Sequence, residues 1–223
     1  MDQVRVLTVD DHAIVRKSIQ ILLNTDSTIR VVGEANDGSE AVSQVKELQP
    51  DVVLMDLVMA KQNGIDATKY IKKHYPDIKV IILTTFEDET IVTSALKAGA
   101  DGYMLKDADG EALIKAIHAA IEGKMPLHPS VTGYLLNGQK KNKYFQDNSQ
   151  LTEREREILT LVAEGWSNKK IAESLNLAES TIKFHVSHIL RKLDVANRTD
   201  AAVKATEMRM ISTNGGTRIY SFD

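Results

Sequence analysis

Five times over its first 123 residues the sequence alternates a short apolar run with an amphipathic stretch, and few architectures can absorb that pattern. The runs at 4–9 (VRVLTV), 30–34, 52–56 (VVLMD), 79–84 and 102–105 are apolar and too short for helices, so they read as strands. The stretches at 38–48, 65–74, 87–97 and 109–122 read as helices. So does the stretch after the first strand, which places Ile14, Val15, Ser18, Ile19, Leu22 and Leu23 on one face at helical spacing. The last helix is expected to turn Leu113, Ala116, Ile117, Ala120 and Ile121 inward. Strands separated by helices pair in parallel through right-handed crossovers, with helices on both faces of the sheet. The expected fold is therefore α/β, a doubly wound (βα)5 domain with a five-stranded parallel sheet.

Such a topology gathers polar residues that are far apart in sequence. Asp10 and Asp11 follow the first run, Asp56 ends the third, Thr84 ends the fourth and Lys106 follows the fifth. All five fall at one edge of a parallel sheet, where the ligands of open α/β sheets collect. Taken singly, each reads as a strand-ending cap. Taken together, three carboxylates favour a hard, oxygen-seeking cation such as Mg2+. The lysine supplies a point charge for an anion, and the threonine adds a hydroxyl donor. These are the parts needed to transfer a phosphoryl group to a carboxylate.

Composition removes other readings. The sequence has no Cys, which excludes disulfides, thiolate metal sites and a cysteine nucleophile. No apolar run reaches the roughly 20 residues of a membrane-spanning helix, and the N-terminus lacks a signal-peptide pattern, so a cytoplasmic protein without a membrane partner is expected. Lys and Arg number 17 against 21 Asp and Glu over residues 1–150, and 11 against 10 over residues 151–223. That balance argues against a protein that coats DNA through overall charge. It permits a local basic surface, as at residues 180–192, which hold Lys183, Arg191 and Lys192 and no acid.

The segments VDDH (9–12), LMDLVM (54–59), LTTF (83–86) and GYMLK (102–106) resemble the receiver domain of two-component response regulators. The resemblance implies that Asp56 is the phosphoacceptor, and that Asp10, Asp11, Asp56 and the Val58 carbonyl hold Mg2+. It also implies that Thr84 and Lys106 bind the phosphoryl group, and that Tyr103 is the aromatic that rotates inward when the threonine moves. Ala60 departs from the proline usual after Met59, so the loop there is expected to differ in shape. Val58 and Phe86 occupy positions where receivers vary the side chains near the attacking water. Both are apolar here, and they are expected to shield an acyl phosphate and slow its hydrolysis.

Beyond residue 123 the periodicity loosens. Pro126 and Pro129 break any continuation of the fifth helix, residues 131–136 form at most a short helix, and residues 138–150 are polar. Residues 124–150 are accordingly expected to be a linker. Periodicity resumes with Thr152 and Glu155 spaced as a capping box. Three helices then follow, the third carrying Lys183, His185, Arg191 and Lys192 on its exposed face, which suits a helix-turn-helix.

The segment LTEREREIL…EGWSNKKIAESLNLAESTIKFHVSHILRKLDVANRTDA resembles the LuxR-type DNA-binding domain, placed at 151–211 with a tail at 212–223. The resemblance implies a recognition helix at 181–192 in the major groove of promoter DNA, with Lys183, Phe184 and Ser187 facing bases. Ser180, Thr181, Lys169, Lys170, His188 and Lys192 are expected at phosphates or nearby. A fourth helix at 197–210 is expected to supply a dimer contact. Together the two parts resemble a NarL/FixJ-type response regulator, not an enzyme. Such a protein takes a phosphoryl group from a sensor histidine kinase, dimerises, and regulates transcription, with RNA polymerase as a possible partner. Two alternatives are a DNA binder with a vestigial receiver and a phosphatase with Asp56 as nucleophile; the latter lacks a proton-transferring residue at Val58.

Overall fold

The computed structural model describes residues 3–59, 64–138 and 151–207. The chain divides into two compact units, Met1–Asn142 and Lys143–Asp223. In the first, strands β1 (Val4–Val9), β2 (Ile29–Ala35), β3 (Val52–Met55), β4 (Lys79–Thr84) and β5 (Gly102–Leu105) pair in parallel in the order β2-β1-β3-β4-β5. Helices α1 (Ala13–Leu23), α2 (Gly38–Leu48), α3 (Gly64–His74), α4 (Glu89–Lys97) and α5 (Gly110–Ile121) alternate with them. The expected doubly wound (βα)5 sheet is the one formed. The strand order reverses its winding between β1 and β3, and this switch point opens a crevice at the carboxyl ends of the strands.

Period-two alternation explains the layering. Val6, Val52, Leu54 and Ile81 join Ile19 and Leu23 of α1 and Leu113, Ala116, Ile117 and Ala120 of α5 in one buried cluster. Leu7, Val53, Met55, Val80 and Ile82 alternate with these and are also fully buried. On α1 and α5 the expected apolar faces are the buried ones, Ile117 included, except at their edges. Ile14 is 76% and Ile121 42% exposed, because α1 buries itself through Ile19 and Leu23 and α5 through Leu113, Ala116 and Ala120. Helix α4 starts two residues later than the acidic run suggests. The side chain of Asp88 accepts from the backbone N–H groups of Thr90 and Ile91, which fixes it as the cap.

Residues 124–138, expected to open the linker, are instead held against this first unit. The N–H of Tyr103 donates to the Pro126 carbonyl at 2.9 Å, and the N–H of His128 donates to the Tyr103 carbonyl at 2.8 Å. Leu127 thereby forms a parallel bridge beside Tyr103 on the outer edge of β5. Helix α6 (Pro129–Gly138) follows and packs on α4, with Val131 fully buried. Pro129, read from the sequence as a breaker, occupies the first helical position, where its missing N–H costs nothing. The remainder of the expected linker, the loop at Ala60 and the tail at 212–223 lie outside the described residues.

The second unit consists of α7 (Glu153–Ala163), α8 (Asn168–Leu175), α9 (Glu179–Lys192) and α10 (Arg198–Glu207). The capping box is formed: the Thr152 hydroxyl accepts from the Glu155 N–H, and Glu155 Oε2 accepts from the Thr152 N–H at 2.7 Å. Gly165 ends the α7 turn at φ +80°, and Asn176 closes α8 in the left-handed region. Ile158, Leu159, Val162, Ile171, Ile182, Ile189, Leu193, Ala201 and Ala205 form the core. Helix α9 starts at Glu179, two residues before the expected start, while the expected end of the fourth helix at 208–210 lies outside the described residues.

Gly102 reads out the attachment of residues 126–128. A Cβ at this position would sit 2.8 Å from the Pro126 ring and 3.0 Å from its carbonyl oxygen. Gly102→Ala is expected to lower stability by about 1–3 kcal/mol through overpacking and to speed hydrogen exchange at the His128 amide. Thermal denaturation and amide exchange measure both.

Candidate functional site: an acidic crevice and a helix-turn-helix surface

Register places the first site. Val9 pairs with Met55 and Thr84 with Leu105, so Asp10, Asp56 and Lys106 each stand one step beyond a paired strand end. The backbone extends the pairing: the N–H of Asp10 donates to the Ala35 carbonyl, that of Asp56 to the Val9 carbonyl and that of Lys106 to the Thr84 carbonyl. Lys106 Nζ lies 2.8 Å from Asp56 Oδ2 and 2.5 Å from Asp10 Oδ2, with Asp56 4% and Asp10 1% exposed. Asp56 Oδ1 accepts from the N–H of Leu57 at 2.7 Å. Burial, together with the nearby Asp10 charge, pushes the Asp56 carboxyl above the usual carboxylate range even against the Lys106 ammonium. Burial opposes the charge on Lys106, but the two carboxylates outweigh it and raise its pKa.

Sequence reasoning did not single out two groups of this crevice, His12 and Arg16. His12 Nδ1 lies 2.7 Å from Asp11 Oδ1 and 3.3 Å from Asp10 Oδ1, and Asp10, Asp11 and His12 form a group with ligand atoms close enough to hold a metal ion. Arg16 Nη1 donates to the Asp10 carbonyl at 2.6 Å, tying α1 to the end of β1. Gly64 leaves no room for a side chain, since a Cβ there would lie 2.0 Å from the Asp56 carbonyl oxygen. The His12 and Arg16 signals sat next to DD in VDDHAIVR, but their role needed the fold of α1. Asp10 and Asp56 share one lysine and Asp11 stands beside them, which leaves a surplus of negative charge in the crevice that fits a hard divalent cation.

The other expected residues of this unit are placed as follows. Thr84 is fully buried, and its hydroxyl has no hydrogen-bond partner among the described residues. Tyr103 is fully buried and points inward, its hydroxyl donating to the Phe86 carbonyl at 2.8 Å. Burial, then the charges of Asp88 and Asp56, drives its phenol pKa far upward, so it stays a neutral donor. Phe86 is buried, and Val58 is half-buried.

In the second unit Lys183, Ser187, Lys169 and Lys170 are exposed. Lys183 reaches Glu179 at 3.3 Å, and Lys170 lies 3.9 Å over the Trp166 ring. Five residues of α9 are placed otherwise than expected. His185, assigned to the exposed face, is fully buried. Phe184 and His188 are also buried and stack on each other at 4.5 Å, so this conformation does not present the Phe184 ring for a base. Thr181 is buried as well. Lys192 Nζ donates to the buried Glu155 at 2.7 Å and so faces the α7 start. The Ser180 side chain lies outside the described residues.

An acidic crevice with a lysine at a sheet switch point, followed by a helix-turn-helix, defines a receiver joined to a DNA-binding unit. Family comparison agrees: residues 6–118 match the response regulator receiver domain, and residues 149–205 match the luxR family of bacterial regulatory proteins. The chain is 42% identical to the response regulator protein VraR of Staphylococcus aureus, over 93% of this chain and 99% of that protein. It is 38% identical to the transcriptional regulatory protein DegU of Brevibacillus brevis, over 92% of this chain and 93% of DegU. Among solved structures, it resembles the response regulator ChrA of a heme-sensing two-component system at 38% identity and TM-score 0.52, covering 95% and 100% of the two chains. It also resembles RcsB of Salmonella enterica serovar Typhimurium bound to a promoter with the phosphomimetic BeF3−, at 29% identity and TM-score 0.59, covering 93% and 100%. The chain belongs to the NarL/FixJ-type two-component response regulators, DNA-binding regulators of transcription. Among the described residues, no helix is long and apolar enough to cross a membrane.

The raised pKa of Asp56 has a consequence for stability. A carboxyl that holds its proton more tightly folded than unfolded loses stability as pH rises through the window between the two values. Asp56→Asn should therefore raise the thermal midpoint at pH 7 in the absence of divalent cations. The gain should shrink as the pH falls through the carboxylate range. A lowered midpoint at pH 7 would mean that pairing with Lys106 outweighs burial.

Proposed function

We propose that this chain is cytoplasmic, that Asp56 accepts a phosphoryl group from the phosphohistidine of a sensor kinase, and that the chain acts as a switch and not as an enzyme. The observation that carries this is the Asp56 carboxylate held beside Lys106 and Asp10 at the switch point of the sheet. An Asp56 oxygen attacks phosphorus, the P–N bond breaks, and the electron pair leaves with the imidazole nitrogen, which takes up a proton. Lys106 neutralises charge on the transferred group and moves from the bare carboxylates to the phosphoryl oxygens. Asp10, Asp11, Asp56 and the Val58 carbonyl would hold Mg2+, which supplies further charge neutralisation when bound.

Thr84 is the group poised to respond. Its buried hydroxyl lacks an acceptor among the described residues, and a phosphoryl oxygen on Asp56 would give it one. Tyr103 and the Phe86 loop stand behind Thr84, so a bias on Thr84 reaches the edge of β5. The response is homodimerisation and tighter binding of α9 to paired half-sites in promoter DNA. Exposed Lys183 and Ser187 face bases, while Lys169 and Lys170 contact phosphates. Half-buried Val58 and buried Phe86 keep water from the acyl phosphate.

Asp56→Asn tests the reading. It should abolish labelling by a small phosphodonor with Mg2+ and abolish the phosphodonor-induced rise in DNA affinity and in dimer mass. A vestigial receiver would show no induced rise even in the unaltered chain. Val58→Asn should shorten the acyl-phosphate half-life several-fold, and an unchanged half-life would remove the shielding role. Lys183→Ala should cost about 1–3 kcal/mol of binding to the selected sequence, read by fluorescence anisotropy.

A further inference from the structure

Lys192 sits on the last turn of α9, where a lysine would ordinarily be counted among DNA phosphate contacts. Its surroundings say otherwise. Nζ donates to Glu155 Oε2 at 2.7 Å, and Glu155 is 1% exposed. The same carboxylate oxygen accepts from the Thr152 N–H at 2.7 Å, closing the capping box at the start of α7. Burial works against the Glu155 charge, yet hydrogen bonds from Lys192 and the Thr152 backbone outweigh it and hold the carboxyl below the usual range. One carboxylate therefore ties the first turn of α7 to the last turn of α9, 37 residues away in sequence. At the same end, Lys204 of α10 donates to the Leu193 carbonyl.

We propose that Lys192 is a positioning residue and not a phosphate contact: paired with Glu155, it sets the angle at which α9 is presented to DNA. This rests on the reading that α9 enters the major groove. To reach a phosphate, Lys192 would have to leave a desolvated carboxylate without its cation. Breaking one side of a buried pair costs more than a solvent-exposed phosphate contact returns. The exposed face of α9 keeps Lys183 and Ser187 for DNA. The Lys192–Glu155 pair fixes the far end, so that these side chains arrive in register with base edges.

The two roles predict different salt dependences. A phosphate contact contributes to the slope of log K against log salt and is blind to sequence, whereas a positioning group leaves the slope unchanged and alters selectivity. The probes are a duplex selected by the full-length wild-type chain from a random-sequence pool and a scrambled duplex of equal length. Lys192→Met should keep the slope between about 50 and 200 mM salt within error and cut the ratio of selected to scrambled affinity by about tenfold or more. Glu155→Gln, which removes a negative charge, should show the same loss of selectivity. The double variant should recover part of it, as coupled residues do. A slope reduced by about one with both duplexes weakened alike would overturn the proposal. If Lys192→Met does not fold, unaltered selectivity in Glu155→Gln would overturn it equally. Lys183→Met separates the underlying reading: if it leaves binding of the selected duplex unchanged, α9 does not read DNA, and the positioning role falls with it.

Discussion

One ammonium shared between two buried carboxylates is the constraint on which the first unit turns. Lys106 bridges Asp10 and Asp56 across the switch point, so the ends of β1, β3 and β5 cannot separate without exposing an unpaired charge. The backbone bonds that extend the sheet one residue past each strand hold the same three residues from behind. Stability and reactivity are therefore opposed at this point. The geometry that would offer Asp56 to a phosphoryl donor under the proposed function also buries it beside a like charge, which makes its ionised form costly.

A second dependence runs outward from this crevice through Tyr103. Its hydroxyl is committed to the Phe86 carbonyl in the loop after Thr84, while its backbone N–H and C=O are committed to residues 126 and 128. One residue thus touches both the loop beside the acidic site and the segment leading away from the first unit. α4, which follows the Phe86 loop, carries α6 on its surface. Gly102, immediately before Tyr103, admits Pro126 because it lacks a side chain. A change in the Thr84–Phe86 loop has a short, covalent and hydrogen-bonded route to α6.

Much of this was legible in the sequence because strand order in a doubly wound sheet follows from alternation, and strand ends converge whatever the intervening loops do. Asp10, Asp56, Thr84 and Lys106 could be brought to one edge without knowing any side-chain contact. What was not legible depended on packing across elements. Residues 124–138 were read as linker from two prolines and a polar run, but Pro126 fits against Gly102 and Pro129 serves as a helix start. Ile14 and Ile121 obey helical spacing, yet they lie one step outside the arcs that α1 and α5 bury. On α9, His185 and Lys192 looked exposed because spacing alone cannot show that Lys192 meets the first turn of α7.

The two buried acid–lysine pairs of this chain illustrate how identical groups acquire opposite character. Asp56 and Glu155 are each nearly inaccessible and each accept from a lysine at about the same distance. Glu155 has Lys192 and also the Thr152 N–H on the same carboxylate oxygen, and it sits in the first turn of a helix, where the dipole favours negative charge. Its pKa falls, and the pair is settled. Asp56 must share Lys106 with Asp10, has among the described residues one backbone donor, the Leu57 N–H, and lies at a strand end and not in the first turn of a helix. Its pKa rises, and the pair is left with more negative charge than one lysine can balance. Burial opposes the charge at both carboxylates; the extra donor on Glu155 overcomes it, while the single lysine shared by Asp56 and Asp10 does not.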